Sequence, residues 1–141
     1  MGSLHLKPSF TKISNIHHPK GDLYKVLRKS SDEFLGFGEA YFTTVIQGET
    51  KGWKKHREMY LNLTVPVGIV KFYIYNQLNR ALTEFTIGRD NYGRLFIPPG
   101  YWVAFSGVGS DLNLILNIGS IEHDPSESEV IGLEEFPVKV I

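Results

Sequence analysis

The sequence predicts an all-β domain built as a sandwich or a barrel. Short runs of β-forming residues recur along the chain, and turn residues, including 14 glycines and 7 prolines, separate them. Aromatic side chains make up 13% of the residues, which favours strands over helices. No apolar repeat of helical period persists.

The runs can be followed in order. Residues 23–27 come first, with Leu23, Tyr24, Val26 and Leu27. Residues 40–46 come next and end at Gln47-Gly48. Residues 60–67 run to Gly68, with Pro66 near the end. Residues 69–75 are the most strand-like of all. Residues 94–97 lead into Pro98-Pro99-Gly100, a stop for any strand. Residues 102–105 and 112–118 complete the set. Residues 76–85 admit a turn of helix or a loop. The stretch from Asp124 to Glu129 is polar and acidic and reads as a surface loop before a last strand at 136–141. A length of 141 residues suits one domain, residues 1–141, with one core.

Composition excludes several function classes. The formal net charge is zero, which argues against a general nucleic-acid binder. There is no cysteine, so no disulfide or thiolate metal site exists. No apolar run approaches the roughly 20 residues that a membrane helix needs. The first residues lack the charged and apolar regions of a secretory signal, and a cytoplasmic protein is the simplest expectation. His17 and His18 are adjacent, so an extended chain points them to opposite faces, which makes a poor metal pair.

Two segments carry chemistry. The first runs from Gly48 through Lys54, His56 and Tyr60 to Gly68; the second runs from Gly93 through Pro98 and Gly100 to Val103. Their spacing resembles the paired motifs of the cupins. Those motifs place His-x-His, a glutamate and a further histidine around a divalent metal, because alternate strand residues share a face. Here the four ligand positions read Lys54, His56, Leu61 and Val103. One potential ligand of four remains, so neither a metal nor any other cofactor is expected.

Further residues narrow the resemblance. Gly38-Glu39-Ala40-Tyr41-Phe42, Lys51-Gly52-Trp53, Val65-Pro66-Val67-Gly68, Ile97-Pro98-Pro99-Gly100, and Asn117 followed by His123-Asp124-Pro125 resemble metal-free sugar-nucleotide cupins. The likeness spans about residues 19–137 and is to the dTDP-4-dehydrorhamnose 3,5-epimerase branch and the related 3,4-ketoisomerases. It implies an RmlC-like jelly-roll barrel of two antiparallel sheets. It implies a homodimer whose small-molecule partner is a nucleotide sugar, with no nucleic acid and no membrane. The activity it implies is an epimerase or ketoisomerase for dTDP-4-keto-6-deoxyhexoses, using metal-independent proton transfer in surface-polysaccharide biosynthesis. A binding module that keeps the pocket without turnover is the alternative.

The family's base position falls at Lys54, its second histidine at Val103, and its acid tyrosine near Asn117. The ketoisomerase Gly-x-His-x-His run is matched at His56 alone. His56 is therefore the expected acid–base residue, since histidine ordinarily titrates near neutral pH. Lys54, His56, Glu58, Tyr60 and Asn62 share one strand parity and, facing inward, would line one pocket. Tyr60 would then be the acid and Lys54 the enolate stabiliser. Lys51, Lys71 and Arg94 are the candidates for the diphosphate, with Lys51 standing where the family has an arginine. Trp53 and Trp102 read as core.

Overall fold

A computed structural model describes residues 6–136. Ten strands succeed one another: β1 (Ser9–Lys12), β2 (Glu39–Thr44), β3 (Thr50–His56), β4 (Leu61–Val67), β5 (Ile69–Asn76), β6 (Ala81–Gly88), β7 (Gly93–Ile97), β8 (Trp102–Gly107), β9 (Leu114–Gly119) and β10 (Ser128–Val130). They form two antiparallel five-stranded sheets, in the orders β1-β7-β4-β9-β2 and β10-β3-β8-β5-β6. This is the two-sheet barrel that the strand pattern predicts. Among the described residues, no helix is long and apolar enough to cross a membrane.

Alternation sets the core. Leu61, Leu63 and Val65 of β4 meet Val70, Phe72 and Ile74 of β5 between the sheets, with Ile87, Leu95, Ile97 and Ile115 beside them. Each fully buried side chain of this size contributes about 1.5–3 kcal/mol. A second cluster lies on the outer face of the other sheet. Trp53, Tyr73, Tyr75 and Trp102 pack there under Phe136. Both tryptophans are thus core, as expected.

Several elements depart from the sequence reading. Residues 23–27 form no strand; Leu23 makes only an isolated bridge to Ile16. The segment straps the outer face of the first sheet instead. Its carbonyls at Lys25 and Val26 accept from Tyr92 and Arg94. Residues 81–88 are strand, because Phe85 and Ile87 face the core and all eight residues pair with β5. Asn76 and Asn79 close that hairpin by accepting from the amides of Leu78 and Ala81. The acidic stretch is not merely a surface loop. Residues 128–130 become the edge strand β10 beside β3, and Glu127 is buried. The strand expected at 136–141 lies outside the described residues except for Phe136.

Two irregularities, one in β3 and one just after it, set which side chains point between the sheets. The register slips between Lys51 and Lys54, which pair with Phe105 and Val103, so one extra residue bulges there. Gly52 makes this possible: it has φ of 145°, and a Cβ would come 2.5 Å from that of Ala104. Between β3 and β4 the chain then crosses from one sheet to the other through residues 57–60. That crossing restarts the alternation.

Candidate functional site

A cavity of about 330 Å³ opens between the sheets. Its apolar wall is Leu61, Leu63, Phe72, Val103, Phe105 and Ile115. Its polar groups are Tyr41 and Thr43 of β2, Lys51, Lys54 and His56 of β3, and Asn117 of β9. The bulge explains why Lys51 and Lys54, three residues apart, share it. Among the described residues no carboxylate lines it, so its charged groups favour an anionic ligand or a negative charge that develops during reaction.

His56 is 7% exposed, and its Nδ1 lies 2.8 Å from Oε1 of Glu127. The other oxygen of Glu127 accepts the backbone amides of Glu58 and Met59, each at 2.8 Å. Burial pushes the Glu127 carboxyl up, but the hydrogen bonds from His56 and the two amides outweigh it and leave its pKa below the ordinary glutamate value. A carboxylate with no proton of its own makes His56 Nδ1 the donor. In the neutral imidazole the Nε2 lone pair is then left to act as an acceptor. This is the arrangement that orients a histidine base.

Across the cavity, Nδ2 of Asn117 donates to Tyr41 Oη at 2.9 Å. The two residues are cross-strand partners in β9 and β2. Burial, then the charge of Glu39, raises the Tyr41 pKa, against a smaller lowering by Asn117. The phenol therefore keeps its proton at neutral pH, as a general acid must.

No protein-family model matches the chain, and no curated protein sequence matches it. Solved structures do. The chain superimposes on a dTDP-sugar isomerase from Desulfovibrio desulfuricans G20 with 31% identity and a TM-score of 0.88, covering 94% of this chain and 89% of that one. The chain belongs to the RmlC-like cupin family. Two more distant RmlC-like cupins share its fold. One is ChmJ, a 3'-monoepimerase from Streptomyces bikiniensis solved with dTDP-quinovose (9% identity, TM-score 0.80, 89% of this chain and 70% of that one). The other is QdtA, a sugar 3,4-ketoisomerase from Thermoanaerobacterium thermosaccharolyticum solved with TDP (19% identity, TM-score 0.75, 89% and 88%).

In this RmlC-like cupin all four cupin ligand positions, Lys54, His56, Leu61 and Val103, converge on the cavity. The donor set does not fit a divalent cation, since one imidazole stands with an ammonium and two aliphatic side chains. Among the described residues no group of three or more His, Asp or Glu could hold a metal.

Of the residues singled out by sequence, Lys51, Lys54, His56 and Asn117 meet in the cavity. Lys51 stands at its rim, with Nζ donating to Thr44 O at 2.9 Å and Thr43 Oγ1 at 3.3 Å. Glu58, Tyr60 and Asn62 do not join them. The shared parity fails because the crossing at 57–60 puts Leu61, not Asn62, on the inner face. Tyr60 stacks on Phe96, with ring centres 6.1 Å apart, and Glu58 is exposed.

Asn62 and Arg94 face outward beneath the 23–37 strap. Arg94 Nε donates to Asn62 Oδ1 at 2.9 Å, and its NH2 pairs with Glu33. Lys71 is on the outer face of the second sheet, 3.2 Å from Glu84.

Sequence reasoning missed two residues. Tyr41 carried a signal, because Tyr41 and Thr43 alternate with the outward Phe42, which is 63% exposed. Glu127 carried none, since nothing local separates it from Glu129.

Proposed function

We propose that this chain is an isomerase of dTDP-4-keto-6-deoxy sugars that moves a proton at a carbon next to the ketone, without a metal. His56, on the cavity wall and held from behind by the buried Glu127, carries the reading. Nε2 of His56 removes the proton alpha to the carbonyl, and the electron pair moves onto the carbonyl oxygen. The Lys54 ammonium offsets that negative charge, and Tyr41 supplies a proton. Return of a proton to the same carbon from the opposite face gives the epimer; return to the former carbonyl carbon, with the proton of the neighbouring hydroxyl passing to the old carbonyl oxygen, gives the shifted ketone. General acid–base groups of this kind each contribute about 10²- to 10⁴-fold.

Similarity to a dTDP-sugar isomerase over most of both chains supports the substrate class. Lys51 at the rim suits the diphosphate, though as a point charge rather than a bidentate clamp. The reading carries with it one domain, a homodimer and a cytoplasmic place in surface-polysaccharide synthesis. Sizing chromatography at the monomer mass would rule out the dimer.

The direct test is solvent exchange. In deuterated water the protein should wash deuterium into C3 or C5 of dTDP-4-keto-6-deoxyglucose, read by NMR, and His56→Ala should abolish it. Folded protein that binds several such sugars without exchange would be a binding module, and the proposal would fail.

A further inference from the structure

Among the described residues, one buried side-chain nitrogen or oxygen lacks a hydrogen-bond partner: Oδ1 of Asn117. The side chain is 8% exposed and lines the cavity. Its Nδ2 is committed to Tyr41 Oη. Its cross-strand neighbours are Tyr41 and Leu63, and Ile115 lies two residues along the same face. Leu63 and Ile115 are aliphatic, and Tyr41 already receives Nδ2, so none of the three supplies Oδ1 with a donor. A buried acceptor left bare costs about 1–3 kcal/mol, so such an atom calls for an explanation.

We infer that Asn117 is a specificity residue whose Oδ1 accepts a hydrogen bond from a ring hydroxyl of the sugar. The inference rests on the proposed substrate class and sharpens it. An amide oxygen accepts and never donates, so it cannot bind the ketone. A 4-keto-6-deoxyhexose offers hydroxyl donors only at C2 and C3; C4 is the carbonyl, C6 a methyl group and the ring oxygen an acceptor. One amide thus does two jobs. Nδ2 takes a lone pair of Tyr41, leaving the phenol proton for the substrate, and Oδ1 fixes the ring beside that proton. The site should then reject a sugar that lacks the hydroxyl, because binding it buries Oδ1 unpaired.

The test compares dTDP-4-keto-6-deoxyglucose with its 2-deoxy and 3-deoxy analogues. Subsaturating solvent-exchange rates and calorimetric affinities are both measured. With the wild-type protein, one of the two analogues should exchange and bind about 10- to 100-fold less well than the parent sugar. In Asn117→Leu the parent should fall by at least that factor, and parent and analogue should differ by less than about twofold. Wild-type protein that treats both analogues within twofold of the parent overturns the inference, and this arm decides alone if the variant does not fold. The two proposals fail separately. Absent exchange with unchanged discrimination in affinity sinks the proposed chemistry and leaves Asn117 its role; exchange without discrimination does the reverse.

Discussion

Replacing Glu127 with glutamine changes one atom in the most tightly bonded carboxylate of the site. The carboxylate accepts three hydrogen bonds, from His56 Nδ1 and the amides of Glu58 and Met59, all at 2.8 Å. A hydrogen bond to a charged acceptor contributes about 1.5–3 kcal/mol, and one between neutral groups about 0.5–1.5. Glutamine keeps its oxygen for the two amides and turns an NH2 toward His56. The imidazole must then carry its proton on Nε2, the nitrogen otherwise free to take one from the substrate. Three bonds each weaken by about 1 kcal/mol, offset in part because no charge is buried, so the net loss is about 2–3 kcal/mol.

The catalytic loss should be larger. A wrong-tautomer histidine beside an amide loses about 10⁴-fold in the serine-protease triad, and about 10³- to 10⁴-fold is expected here. Urea denaturation across pH adds a sign. The folded pKa of Glu127 is lowered, so its contribution is fully present above the unfolded value of about 4.3 and is lost as pH falls through the folded value below that. The variant has no carboxyl to titrate. Wild type should therefore exceed Glu127→Gln by about 2–3 kcal/mol at pH 7, and the gap should shrink below about pH 4. A gap under about 0.5 kcal/mol at pH 7, or one that does not narrow in acid, refutes the account. So does unchanged solvent exchange.

Other perturbations separate the cavity from its surroundings. Tyr41→Phe should lower exchange by about 10²- to 10⁴-fold and cost about 1–3 kcal/mol in urea denaturation, since it strips the buried Asn117 Nδ2 of its acceptor. Lys54→Met should reduce turnover more than affinity, seen as a lower kcat at similar KM, because its charge matters only as the carbonyl oxygen becomes negative. Arg94→Ala should cost about 2–3 kcal/mol in urea denaturation by leaving the partly exposed Glu33 carboxylate and Asn62 Oδ1 without their donor, while the folded protein binds nucleotide sugar as before. Gly52→Ala should destabilise by more than about 1 kcal/mol, since its Cβ meets Ala104 at a positive φ; a neutral midpoint would mean that the bulge relaxes freely.

How much of this was legible depends on distance along the chain. Residues 69–75 and 102–105 announce strands because their own side chains favour the pleat. β6 is hidden, since its polar Glu84 and Thr86 look like loop until β5 is beside them. In the site, the His56 position was readable from motif spacing. The inward set was not, because parity survives only along an unbroken strand. The bulge at Gly52 brings Lys51 into line with Lys54, and the crossing at 57–60 carries Tyr60 and Asn62 away. Glu127 lies 71 positions from its partner, and a carboxylate in an acidic stretch shows no sign of which one will be buried.

The edge strand β10 has three residues, and the turn just before it brings Glu127 to His56. A chain whose first nine strands have paired already has every wall of the cavity except Val130. It does not yet have an oriented base. The orientation of the base thus depends on the segment that docks beside β3. A chain clipped after Glu122 would lose the carboxylate that His56 requires together with Ile131, Leu133 and Phe136, which cover Trp53 on the back of the cavity.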